Sequence, residues 1–159
     1  MVVRPAVLFV CTGNICRSPL AEAAFRVAAE RHGLEGLVDS AGTGDWHRGE
    51  APDRRAQAVA RRHGLDIADY RARMVSAADF RTFTHIVALD PGHLKILRNR
   101  RPIDSTAELS LLLDHVPGRE GQGVADPYYG DARAFDVTWA DVRQGAEALA
   151  LKLARATMV

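Results

Sequence analysis

The sequence predicts an α/β fold: a three-layer sandwich whose central four-stranded parallel sheet carries helices on both faces. Three observations predict it. Short apolar runs at 6–10, 37–40, 85–89 and 108–112 alternate with longer stretches of helical periodicity. The first three segments in order read strand, helix, strand, a βαβ unit whose strands run parallel and whose crossover is right-handed. The chain has 159 residues, 47% of them hydrophobic and 26% charged, enough for one domain (1–159) with a real core.

Each element has its own signals. Residues 19–32 read as the first helix, with Pro19 at its first position, an apolar stripe of Leu20, Ala23, Ala24 and Val27, and Gly33 as the stop. The strand at 37–40 leads into a Gly-rich loop at 41–49. A second helix at 52–63 turns Ala56, Val59 and Ala60 inward and ends at Gly64, leaving Arg54, Arg55, Arg61 and Arg62 as a solvated face. Residues 65–74 have no regular pattern. Ser76 is placed to cap a short turn through Phe80. A strand at 85–89 is followed by Asp90-Pro91 and a helix at 92–99, with Arg98, Arg100 and Arg101 at a solvated helix end. After the strand at 108–112 and a loop at 117–123, a closing helix at 131–155 presents Phe135, Trp139, Val142, Ala146 and Leu149 as its buried stripe.

The densest chemical signal is Cys11-Thr12-Gly13-Asn14-Ile15-Cys16-Arg17-Ser18. It lies between the first strand and the first helix, so unpaired amides and the positive helix end converge there and attract an anion. Five residues between Cys11 and Arg17 suffice to wrap a loop around one tetrahedral oxyanion. Gly13 and Asn14 tolerate the positive φ such a loop needs. Arg17 offers a planar fork to two phosphate oxygens. Cys11 would lie beneath the anion as a thiolate, with Ser18 donating to its sulfur. The two cysteines fit zinc spacing poorly, having four residues between them and no nearby partner. The expected object is a phosphate loop at the carboxyl end of the first strand, with a nucleophile at its floor.

Val10 to Pro19 closely resembles the signature of low-molecular-weight protein tyrosine phosphatases. The likeness continues in Asp39-Ser40-Ala41-Gly42-Thr43, Trp46-His47-Arg48-Gly49 and Asp126-Pro127-Tyr128-Tyr129-Gly130. The resemblance implies that Cys11, Arg17 and Asp126 are catalytic, with Asp126 as general acid. It implies a phosphate loop of Thr12, Gly13, Asn14, Ile15, Cys16 and Ser18. Trp46, Tyr128 and Tyr129 would wall a slot suited to a phenyl ring, and Ser40 with Asn14 would hold the loop in shape. The sequence departs from the family at Tyr70, where many members have a histidine of the loop-supporting network, and at Met74. Either Tyr70 supplies a hydroxyl instead, or Ser40 and Asn14 hold the loop alone. His47 is assigned no catalytic role.

The function expected is hydrolysis of phosphotyrosine and small aryl phosphates through a phosphocysteine. No metal or other cofactor is needed, since arginine and amides neutralise the phosphate. Cys16 has no place in that cycle; its closeness to Cys11 suggests a reversible, protective disulfide. Two alternatives stand beside this reading: an arsenate reductase of the same fold using an external thiol, and a phosphotyrosine-binding module without turnover. The partners expected are phosphotyrosine proteins. A net charge of +1 gives no bulk attraction to nucleic acid or membrane. Two cysteines, an apolar start too short for a secretory leader and no membrane-length run point to a cytoplasmic protein, expected as a monomer.

Overall fold

The computed structural model describes residues 4–157. Four parallel strands, β1 (Ala6–Cys11), β2 (Leu37–Gly42), β3 (His85–Ala88) and β4 (Glu108–Leu111), form one sheet in the order β2-β1-β3-β4. The helices are α1 (Arg17–Arg31), α2 (Arg54–Arg62), a single turn α3 (Asp79–Thr82), α4 (Pro91–Arg100) and α5 (Ala132–Thr157), with a 3-10 turn at Leu112–His115.

β1 is central and buried along its whole length. Its period-2 alternation divides the core. Val7, Phe9 and Cys11 face a layer built from α1, α2 and α5, where they meet Leu20, Phe25, Val59, Phe135 and Leu149. Ala6, Leu8 and Val10 face the other layer, with Phe80, Leu94 and Leu97 from α3 and α4. A strand covered on both faces reads as a continuous apolar run, which is why residues 6–10 carry no polar alternation. α5 comes in tightly over the 3-10 turn: a Cβ at Gly145 would lie 2.5 Å from Leu112 Cγ.

The expected architecture holds, and several local expectations are corrected. α1 begins at Arg17, so Pro19 is its third residue; the first turn has no intrahelical N–H partners, so proline is accommodated there too. Val27 is exposed, and Ala21, Phe25, Ala28 and Ala29 join Leu20, Ala23 and Ala24 in the buried set. β2 runs two residues further than expected because it stays paired with β1 up to Cys11 and Gly42. α2 starts at Arg54, after Asp53 caps it by accepting from the Arg55 amide at 2.8 Å. Ser76 is not a cap: its amide and hydroxyl donate to Asp79, whose carboxylate pairs with Arg73. Within the irregular stretch, Met74 makes a parallel bridge to Gly42, extending that sheet edge. The closing stripe of Phe135, Trp139, Val142, Ala146 and Leu149 is buried throughout.

Candidate active site

The carboxyl end of β1 delivers Cys11, and α1 opens six residues later at Arg17, so residues 12–16 arch over the helix N-terminus. Of the two residues expected at positive φ, only Asn14 adopts it, at 59°. Gly13 does not; it lies close under His47, where a Cβ would come within 2.9 Å of the ring and the ring would have to shift.

Asn14 is held in its left-handed conformation by its own side chain. Its Nδ2 donates to Ser18 Oγ at 2.8 Å and to Ser40 Oγ at 3.0 Å, while its Oδ1 accepts from the Arg73 amide at 3.1 Å. Ser40 Oγ in turn donates to Glu22 Oε1 at 2.8 Å. Ser18 Oγ accepts from Asn14 and lies 3.0 Å from Cys11 Sγ and 3.4 Å from Ala41 O, so its one hydrogen has two acceptors in reach, the sulfur and that carbonyl. A continuous chain therefore runs from Glu22 to the Cys11 sulfur.

Glu22 is the unforeseen anchor of that chain. It is buried on the inner face of α1, and burial pushes its carboxyl above the ordinary glutamate range. Arg26, one turn on, answers it with Nε and Nη2 at 3.0 and 2.8 Å and reaches Val38 O with the same group. Of the two alternatives at Tyr70, the second needs revision: Ser40 and Asn14 do not hold the loop alone, because the Arg73 amide and Glu22 support them. Tyr70 is half-buried beside Glu22 and Arg26, with its hydroxyl placed to hydrogen-bond the Arg26 guanidinium that answers Glu22. The signal in the sequence was a glutamate set between alanines on the buried face of α1.

Arg17 is buried, and its guanidinium is divided. Nη1 donates to Asp90 Oδ2 and to Val124 O, both at 2.9 Å. Nη2 lies 3.5 Å from Thr12 Oγ1, 3.5 Å from His93 Nε2 and 3.6 Å from Asp126 Oδ2. One nitrogen is thus anchored to protein, while the other shares a wall with the carboxylate of Asp126. Asp126 turns back on itself, its Oδ1 accepting from the Tyr128 amide at 3.1 Å.

His93 also escaped the sequence reading. It is buried with Nε2 2.7 Å from Thr12 Oγ1, and burial pushes it down to about 4, so the ring is neutral at pH 7. Nothing in its local pattern marks it. Only the pairing of α4 with the first loop brings it there.

These groups line a cavity of about 250 Å³, bounded by Cys11, Thr12, Gly13, Ile15, Cys16 and Arg17 below and by Trp46, His47, Asp126, Tyr128 and Tyr129 around the rim. Asn14, Ser18 and Ser40 do not line it; they brace the loop from behind. Trp46 and Tyr129 stand largely in solvent, and Tyr128 meets Tyr129 edge-on at 4.9 Å. Trp46 folds over Gly44, where a Cβ would overlap the indole. Cys11 and Cys16 are both free and buried; burial first, and then the nearby Asp53, pushes the Cys16 thiol far up.

The comparisons agree with this geometry. The profile of the family described as low molecular weight phosphotyrosine protein phosphatase matches residues 6–158. A low molecular weight protein-tyrosine-phosphatase of Streptomyces coelicolor is 47% identical over 135 residues, covering 82% of each chain. Among solved structures, a protein tyrosine phosphatase from Entamoeba histolytica superposes with a TM-score of 0.89 at 33% identity, covering 96% of this chain and 98% of that one. A Drosophila protein described as an arginine phosphatase superposes with a TM-score of 0.87 at 31% identity, covering 93% and 97%. With a matched profile spanning nearly the whole sequence and a cysteine–arginine loop closed around one cavity, the chain belongs to the low molecular weight phosphotyrosine protein phosphatase family and is an enzyme of the protein-tyrosine-phosphatase class.

Proposed function

We propose that Cys11, Arg17 and Asp126 carry out a two-step hydrolysis of phosphotyrosine. The observation that supports this most directly is the convergence of all three on one cavity walled by aromatic rings. In the first step the Cys11 thiolate attacks phosphorus in line. Arg17 Nη2 and the amides of residues 12–16 take up the charge that grows on the equatorial oxygens. Protonated Asp126 gives its proton to the departing phenolate oxygen as the P–O bond breaks. In the second step Asp126, now a carboxylate, takes a proton from water, whose oxygen attacks phosphorus. The S–P bond breaks, phosphate leaves, and the thiolate returns to its hydrogen bond with Ser18. Thr12, Gly13, Ile15 and Cys16 shape the floor, while Trp46, Tyr128 and Tyr129 flank the ring. A shorter serine phosphate would not reach the floor between them.

We further propose a single catalytic domain that works as a monomer on phosphoproteins in the cytoplasm, without metal or cofactor. Both cysteines are free, which suits a reducing compartment. Among the described residues no helix is long and apolar enough to cross a membrane.

The test is phosphate release from phosphotyrosine, phosphoserine and phosphoarginine peptides without added metal, for the wild type and Cys11→Ser. Release confined to phosphotyrosine and abolished by Cys11→Ser is expected. Preference for phosphoarginine would move the substrate class toward that described for the Drosophila relative. Binding without release would favour a capture module, and arsenate reduction with an external thiol would favour the reductase.

A further inference from the structure

Asp126 sits on a loop with no regular secondary structure, yet a proton donor must be aimed to within a fraction of an ångström. On its upstream side the loop is fixed by two bonds to Val124, whose carbonyl accepts from Arg17 Nη1 at 2.9 Å and whose amide donates to Leu89 O at 2.7 Å. On its downstream side the anchor comes from α2. Arg55 Nη2 donates to Tyr128 O and Nη1 to Gly130 O, each at 2.9 Å. The remaining donors grip Asp53: Nε to Oδ1 and Nη2 to Oδ2, both at 3.0 Å. The guanidinium carbon lies 4.6 Å from the Phe135 ring centroid and 5.7 Å from that of Tyr128. Asp53 closes the circuit, since its amide donates to Ile15 O of the phosphate loop at 2.9 Å.

We infer that Arg55 is a positioning residue, and that the Asp53–Arg55 pair is a strut tying the loop that carries Asp126 to the loop that carries Cys11. This rests on the reading of Asp126 as the general acid. The sequence places Arg55 on a solvated face; the structure commits all three of its nitrogens to protein acceptors. The planar fork is needed, because two diverging carbonyls and a carboxylate cannot be met by one ammonium group. The Arg55 fork also holds the Asp53 carboxyl below the usual aspartate range, which favours the ionised pair. The Arg55 end of the strut bears on proton delivery. The anion cradle keeps its own braces in Asn14, Ser40 and Asp90 and in the backbone bond from Asp53 to Ile15, which neither strut variant removes.

Proton delivery has a signature that general loosening lacks. A poor leaving group such as phenol needs the acid, whereas dinitrophenol leaves without it. The experiment measures kcat/KM for phenyl phosphate and for 2,4-dinitrophenyl phosphate, with Arg55→Met, Asp53→Asn and Asp126→Asn beside the wild type. Asp53→Asn keeps the helix cap and the amide bond to Ile15 but weakens the grip on Arg55. For Arg55→Met the expected result is a loss of about ten- to a hundredfold on phenyl phosphate and under about threefold on the dinitrophenyl ester. Asp53→Asn should show the same selectivity at smaller amplitude. If Asp126→Asn is selective but both strut variants lose equally on the two substrates, or lose nothing, the strut is overturned and the acid stands. If Asp126→Asn itself loses equally on both, the acid assignment falls and the strut with it.

Discussion

Asp90 holds Arg17 by a 2.9 Å salt bridge in which 5% of the arginine side chain and 29% of the aspartate side chain are exposed. The pair fixes one edge of the guanidinium and leaves the other facing the cavity beside Asp126. Asp90 also caps α4 by accepting from the His93 amide at 2.9 Å.

Asp90→Asn keeps a cap acceptor but removes the charge. The expected cost is about 1–3 kcal/mol of stability, as for a charged hydrogen bond, with kcat/KM lowered about tenfold or more. Burial tends to raise the Asp90 carboxyl, but the His93 amide and ring and the Arg17 fork outweigh it and hold it below its ordinary value. A depressed carboxyl stabilises the fold above its unfolded pKa and loses that contribution as pH falls through the folded one. The stability gap between wild type and variant, read by urea unfolding, should therefore close below about pH 3.9.

Arg26→Met tests the anchor behind the phosphate loop. The variant strips the buried Glu22 carboxylate of two charged hydrogen bonds. Arg26 is itself half exposed, so the expected cost is modest, about 1–2 kcal/mol. Because the Glu22 pKa is raised in the fold, the proton-bound form is favoured there at low pH, and it is the ionised form that needs Arg26. The destabilisation should thus be larger at about pH 8 than at about pH 4, where Glu22 takes up a proton. An equal cost at both pH values would assign Arg26 to packing alone.

His93→Gln separates a neutral histidine from a charged one. A histidine pushed down to about 4 leaves the unfolded chain to bind the proton first as pH falls. Its contribution is present above the ordinary value of about 6.5 and is lost between there and about 4. The wild type should lose up to about 1.4 kcal/mol per pH unit across that window from this residue, and the variant should show a flatter slope.

Cys16→Ser tests the proposed redox role. Peroxide followed by thiol should restore activity to the wild type, whose two cysteines can pair, and leave the variant oxidised beyond rescue. Equal inactivation and equal rescue would remove Cys16 from any protective part. Because its thiol is pushed far up by burial, the wild type should form the disulfide faster as the medium becomes more alkaline.

The sheet, its parallel sense and the cavity floor were legible because each is written locally. Residues 6–10 are apolar on both faces, and the eight residues from Cys11 carry their own loop chemistry. The contributions of Glu22, Arg26, Arg55 and His93 were not legible, and for a common reason. Each is a charged or titratable residue with a decisive partner on another element or an unpatterned loop: Ser40 for Glu22, Val38 for Arg26, Tyr128 and Gly130 for Arg55, and Thr12 for His93. A helical arginine looks solvated until that partner is known. Gly13 shows the opposite case: it was expected at positive φ, but only Asn14 adopts it, and Gly13 instead sits close under the His47 ring. Val27 was misread because the buried arc of α1 is rotated toward Phe25 and Ala28, where α5 packs.

The hydrogen bond from Arg17 to Val124 spans 107 positions. In chain order Cys11 precedes Asp126 by more than a hundred positions, and α5, which packs against α1, follows both. Contacts that distant are costly to close and form late in folding. On the proposed mechanism, a chain that has formed α1 but not docked α5 holds Cys11 without its proton donor in place, and activity is expected only once α5 has docked.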